Sequence, residues 1–228
     1  MERRALVSEL ATAIADLEID HPVRAAVDGV GAAGKTVLAD EVAEELERLG
    51  RSVIRAGVDG FHHPRDVRYR LGPLSPRGYY LDSFDHTAMM SCLLLPLGPG
   101  GSLRYRIATY DFRADAPVDA PELVAPRDAV LVFDGVFVLR PELRRHWDFR
   151  IFVDTSFDVT LERAMDRDTD LFGTPEDVRE RYLCRYIPGE KLYLREASPR
   201  AHADVVVEND DPLDPALIWP GEASLAGI

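Results

Sequence analysis

The chain is poor in cysteine, in tryptophan and in positive charge. Its 228 residues include two cysteines, Cys92 and Cys184, far apart and in no metal-type or redox-type pair. Such usage excludes a disulfide framework and makes a reducing cytoplasm the expected setting. Lys and Arg number 27 against 40 Asp and Glu, a net charge of -13. That balance repels nucleic-acid backbones and anionic lipid over most of the surface, so neither nucleic acid nor membrane is an expected partner. Any anion site has to be local. No window approaches the ~18 unbroken apolar residues of a membrane span. Met1-Glu2-Arg3-Arg4 runs into an amphipathic pattern instead of the apolar heart of a secretion signal, so a soluble, unexported protein is expected. A hydrophobic fraction of 46% with 29% charged residues argues against a disordered or low-complexity chain.

What is present reads as one domain over 1–228, with a core at about 22–210, an N-terminal helix at 2–18 and a tail at 211–228. Leu6, Leu10, Ile14 and Leu17 share one helical face. After Pro22 the period changes: Val23 to Val27 reads as a strand, 36–49 as a helix with Leu38, Val42, Leu46 and Leu49 inward, and Val53 to Val58 as a second strand. Ala129 to Phe133, Phe149 to Val153 and Val205 to Val207 are short continuous apolar runs, the form of parallel strands covered on both faces. The expectation is an α/β fold with a five-stranded parallel sheet flanked by helices. Residues 59–82, rich in Pro, Gly, Arg and Tyr, read as a substrate-side insertion. Leu103 to Phe112 alternates like an accessory hairpin or edge strand, and the proline-rich tail reads as surface-hugging or frayed.

The strongest motif is Gly29-Val30-Gly31-Ala32-Ala33-Gly34-Lys35-Thr36, which satisfies G-x-x-x-x-G-K-[ST] between a strand and a helix. In that context backbone N–H groups and the helix N-terminus converge on phosphates, Lys35 adds a point charge and Thr36 a magnesium ligand. A chance match in a chain this long is on the order of one in a hundred. Asp59 and Asp134 end strands, and ligands of open α/β sheets gather outside strand carboxyl ends. Asp134, after Val130-Leu131-Val132-Phe133, has the form of an acid that holds magnesium. Asp59 is placed to accept a proton from an acceptor hydroxyl. Asp28 and Asp154 also end strands and read as structural.

Residues 163–195 carry Arg163, Arg167, Arg179, Arg181, Arg185, Lys191 and Arg195, a basic density suited to a lid over a phosphoryl group, with Arg167 the first candidate. The adjacent His62 and His63 lack ligand spacing for zinc, so His62 reads as a substrate contact. Tyr79, Tyr80, Tyr110 and Phe112 read either as core or as an aromatic wall for a planar acceptor.

Taken together, the P-loop with Asp28, Val58-Asp59-Gly60-Phe61-His62, Tyr110-Asp111-Phe112, Phe133-Asp134-Gly135 and Arg163-Ala164-Met165-Asp166-Arg167-Asp168 resemble the uridine kinase family over residues 22 to about 210. That family is related to bacterial pantothenate kinases and phosphoribulokinases, and Asp59-Gly60-Phe61-His62-His63-Pro64 looks as much like the pantothenate branch. The resemblance implies ATP with Mg2+, a catalytic Asp59, a metal-site Asp134, and lid arginines including Arg163 and Arg167, with Arg163 on the ATP phosphates. It places the acceptor against His62, Arg65, Tyr80, Tyr110 and Phe112. The chain also departs from the better-known members. Tyrosines stand where their ribose-gripping acid falls, Ala164 and Thr174 replace two arginines, and Asp115 replaces the base-reading histidine.

The leading expectation is transfer of the ATP γ-phosphoryl group to uridine or cytidine, in the cytoplasm, with pantothenate or another small alcohol as the alternative acceptor. Assembly as a homo-oligomer stays open. A GTP-type switch is disfavoured, because Asp134 is followed directly by Gly135 and Asn209-Asp210-Asp211 lacks the guanine-reading lysine. An ATP-binding module without transfer activity is the remaining rival.

Overall fold

Val23–Gly29, buried at all its positions, is a central strand because apolar side chains leave it on both faces. The computed structural model describes residues 1–220. Its main sheet runs, edge to edge, Ala216–Ile218, Val205–Glu208, Phe149–Asp154, Val23–Gly29, Val130–Gly135 and Val53–Gly57. The last five are parallel, as the apolar runs predict.

Alternate residues of the central strand serve different layers. Ala25 and Val27 join Val130, Val132, Ile151 and Val153 under the helices Arg3–Ala15 and Lys35–Arg48. Ala26 faces the opposite layer with Leu131, Phe133 and Phe152, beneath Phe137 and Tyr193. Leu6, Leu10 and Ile14 are fully buried, which explains the helical spacing; truncating such a residue to Ala typically costs about 2–5 kcal/mol. Leu38, Val42 and Leu46 are inward as expected, but Leu49 is exposed, because the helix has ended at Arg48.

The sheet gains a sixth strand from the tail. Leu217 packs with one layer and Ile218 with the other, and the segment pairs antiparallel with Val205–Glu208. Trp219 stacks on Phe149 at 6.2 Å and donates to Glu9 at 2.8 Å, so the tail up to Pro220 is tied down instead of frayed. Residues 221–228 of the tail lie outside the described residues. The 103–112 run does not form a hairpin with itself. Arg104–Tyr105 pairs with Leu123–Val124, and Tyr110–Asp111 pairs with Ala116–Pro117. Among the described residues no helix is long and apolar enough to cross a membrane.

Candidate functional site

The site lies at the carboxyl ends of the parallel strands, where Val23–Gly29 turns through a glycine-rich loop into the helix beginning at Lys35. Two glycines are sterically required. A Cβ on Gly29 would sit 2.5 Å from the Val153 carbonyl oxygen. Gly34 has φ +94° and caps the helix, and a Cβ there would meet Asn209 Nδ2 at 2.7 Å. The same Nδ2 donates to the Ala33 carbonyl at 2.7 Å, and Thr155 Oγ1 donates to it at 3.3 Å, so adjoining strand ends brace the loop.

Side chains converge on the loop's mouth in a cleft of about 290 Å3. Thr36 Oγ1 donates to Asp134 Oδ2 at 2.6 Å. Asp134 Oδ1 accepts from Arg55 Nη2 at 2.7 Å, and the same guanidinium donates to Asp40 at 2.8 Å. Lys35 is buried and curls back to donate to the Val30 carbonyl at 2.6 Å. Burial depresses its pKa, opposed by the negative charges of Glu190, Asp134 and Asp28.

Glu190 completes the cradle. Its Oε1 accepts the Gly31 backbone N–H at 2.7 Å and the Tyr79 hydroxyl at 3.4 Å, while Oε2 is buried without a partner. Burial pushes its carboxyl up to about 7, against the lowering pull of the Gly31 N–H and Lys35. No motif pointed to Glu190. The available signal was its helical spacing, since Ile187, Glu190, Tyr193 and Ala197 share the buried face of Ile187–Ala197, where a lone acid is out of place.

Asp59 stands across the cleft with a 74% exposed side chain, open to a ligand. His62 packs between Phe84 and Phe112 at 4.6 Å from each ring, and its Nδ1 is 3.0 Å from the Asp59 carbonyl oxygen. Burial lowers its pKa, against the raising pull of Asp59. Arg167 lines the cleft on the lid side, donating to Asp168 at 2.6 and 3.0 Å, while the Tyr182 hydroxyl donates to Asp168 at 2.7 Å. These bonds keep the guanidinium fully charged, with its pKa raised.

Not every expected residue comes to the cleft. Arg163 turns away and donates to the carbonyls of Asn209 and Asp210, just past the strand Val205–Glu208. Tyr80 is core: Arg140 lies over its ring at 4.5 Å and Phe137 packs against it at 5.2 Å. Tyr110 is buried and donates to Asp115 at 3.0 Å. Asp28 is structural, a fully buried carboxyl raised to about 6 by burial and held by the Tyr193 hydroxyl. Asp154 pairs with Arg200. Gly31, Ala32, Lys35, Thr36, Asp134, His62 and Phe112 all line the cleft with Asp59, while Arg65 lines an adjoining chamber.

Comparisons with known proteins bear on the family and the fold. A family model described as phosphoribulokinase/uridine kinase matches residues 25–211. A uridine kinase of Chloroflexus aurantiacus is 30% identical over 193 residues, covering 82% of this chain and 86% of that protein. Uridine kinase-like protein 5 of Arabidopsis thaliana is 26% identical over 215 residues, covering 93% of this chain, which spans only 44% of that relative's length. Among solved structures, a possible uridine kinase from Bacillus stearothermophilus superposes with a TM-score of 0.70 at 22% identity, covering 90% of this chain and 99% of that one.

Proposed function

The chain belongs to the phosphoribulokinase/uridine kinase family, and from that premise we propose that it moves the γ-phosphoryl group of ATP to a hydroxyl of a small molecule. One observation carries the reading. The P-loop, the Thr36–Asp134 pair at 2.6 Å, Asp59 and Arg167 open onto a single cleft. Phosphoryl transfer requires little covalent chemistry from a protein, so positioning and charge at these points are what it has to supply.

The roles follow from the atoms. Backbone N–H groups of Gly31 to Thr36 cradle the phosphates, and Lys35 swings from the Val30 carbonyl onto them. Thr36 and Asp134 suit Mg2+, which binds through one or two protein oxygens plus phosphate and water. When bound, that ion neutralises charge on the β- and γ-phosphates. Asp59 orients the acceptor hydroxyl and takes its proton, and its exposed carboxylate, open to the cleft, is free to do so. Arg167, fixed by Asp168, meets the charge that spreads over the equatorial oxygens.

Uridine is the acceptor suggested by the relatives' names. A second reading, a small alcohol of the pantothenate type, is favoured by Asp82, which is buried against Arg70 at 2.9 and 2.6 Å and lines neither the cleft nor the adjoining chamber, so it is not placed to hold a ribose. Single-turnover transfer from γ-labelled ATP over both classes of acceptor tests the reading. Transfer to any hydroxyl supports it; tight ATP binding with label left on ATP or released only as phosphate refutes it.

A further inference from the structure

We propose that the acceptor is anionic, a hydroxyl-bearing molecule whose carboxylate or phosphate sits in the arginine-lined chamber beyond His62. The proposal rests on the phosphotransfer reading and refines its acceptor. The chamber, about 490 Å3, opens from the nucleotide cleft and shares His62, Tyr79, Phe112 and Tyr186 with it. An acceptor hydroxyl at Asp59 therefore leaves the rest of its molecule in this space.

The chamber's charge is opposite to that of the chain. Arg65, Arg68, Arg113, Arg181 and Arg185 line it, with Asp170 as the single carboxylate on its wall, in a chain of net charge -13. Asp115 lies behind and engages Arg68 Nη2 at 3.0 Å. Arg181 bonds only hydroxyls, those of Tyr186 at 3.2 Å and Tyr69 at 3.1 Å. Among the described residues Arg185, 2% exposed, bonds only carbonyls, including those of Pro73 and Ser75 at 3.2 Å each, and its Nε has no partner. Arg68 Nε is also buried and unpartnered. Four of these guanidinium groups, on Arg65, Arg68, Arg181 and Arg185, lie within 6.0 Å of the Tyr69 ring centre.

Buried cations without counter-charges are costly, and neutral hydroxyls and carbonyls only partly offset the loss of water. Burial lowers the pKa of Arg185, the mark of a charge held there without compensation. A neutral nucleoside leaves this excess in place. A carboxylate or phosphate removes it through charge-assisted bonds, for which the planar guanidinium is shaped.

The test compares matched acceptors in the intact protein: ribose 5-phosphate with ribose, glycerate with glycerol, and pantothenate with pantothenyl alcohol, beside uridine and cytidine. The expected result is that an anionic member exceeds its neutral partner in kcat/KM by about a hundredfold or more. Arg181→Gln and Arg113→Gln should each raise the KM for that anion about tenfold or more, with kcat and the KM for ATP within about threefold, and Arg181→Lys, which keeps the charge but not the planar fork, should recover only part of the loss. Equal use of both members of every pair, or uridine as the best acceptor with a KM unmoved by Arg181→Gln, overturns the proposal while leaving phosphotransfer standing. Absence of transfer to every acceptor defeats the phosphotransfer reading instead. The chamber is then decided by calorimetry on protein saturated with a non-hydrolysable ATP analogue. Binding of an anionic member that weakens in Arg181→Gln sustains the anion site; no binding by any of them removes it.

Discussion

The carboxylate of Glu190 holds the Gly31 N–H of the P-loop at 2.7 Å, from a helix that lies 159 residues away in the chain. A buried anion thus sits on a backbone donor of the phosphate cradle, beside Lys35, before any phosphate arrives. Two anions cannot share that place in low dielectric without a large penalty.

Nucleotide binding should therefore report the ionisation of Glu190. Glu190→Gln keeps an oxygen for the Gly31 N–H and removes the charge. It should tighten ATP binding, and the ratio of variant to wild-type affinity should grow as pH rises from about 6 to 8, a range that spans its carboxyl at about 7. Calorimetry at several pH values measures it, and a ratio that is flat with pH would rule out this competition.

Stability should carry the same signature. A carboxyl raised from 4.5 to about 7 binds its proton more tightly folded than unfolded. Its contribution is complete below about 4.5 and is lost as pH climbs through about 7, on the order of 3 kcal/mol for such a shift. Asp28, raised from 3.8 to about 6, acts with the same sign over a lower window. Denaturant melts should show wild-type stability falling between about pH 4.5 and 7 and a flatter profile for Glu190→Gln.

How much of this was legible in the sequence depends on how local each signal is. Lys35, Thr36 and Asp134 were readable because a contiguous motif and a strand end fix them, and Thr36 and Asp134 do meet at 2.6 Å. The parallel strands were readable because burial on both faces leaves unbroken apolar runs. Glu190 was not, because its value comes from contacts with Gly31 and Tyr79, 159 and 111 residues away. Ala216–Ile218 is too short for a period to show. Arg163 and Arg167 lie one helical turn apart and look alike in sequence, yet one bonds backbone carbonyls and the other faces the cleft.

Lys35→Ala should abolish transfer by several orders of magnitude, since it deletes the charge nearest the phosphates and leaves the chamber beyond His62 intact. The fold should survive, because the cost of burying an ammonium disappears with it. Circular dichroism and single-turnover rates check both halves; retention of more than a tenth of wild-type turnover contradicts the phosphate role.

Arg167→Ala should lower kcat far more than it raises the KM for ATP, because the proposed mechanism sets its charge where the transition state spreads negative charge. Asp168 loses its two bonds from Arg167 but keeps that from Tyr182, so the lid should remain folded. Steady-state kinetics that show a raised KM with kcat untouched would make Arg167 a ground-state ATP contact.

Asp59→Asn separates chemistry from binding. The substitution preserves size and the ability to bond a hydroxyl, and among the described residues the exposed side chain makes no ionic contact beyond its approach to His62 at 3.9 Å. It removes the negative charge that, in the proposed mechanism, takes the acceptor's proton. ATP affinity should stay within about tenfold of wild type while kcat falls by about 10² to 10⁴, the range of a general base. The two quantities come from calorimetry with ATP and from turnover at saturating ATP and acceptor. Lost nucleotide affinity with turnover nearly intact would instead make Asp59 a nucleotide anchor, and the proton would then have to leave through another group on the same cleft, with His62, 3.0 Å from the Asp59 carbonyl, the nearest candidate.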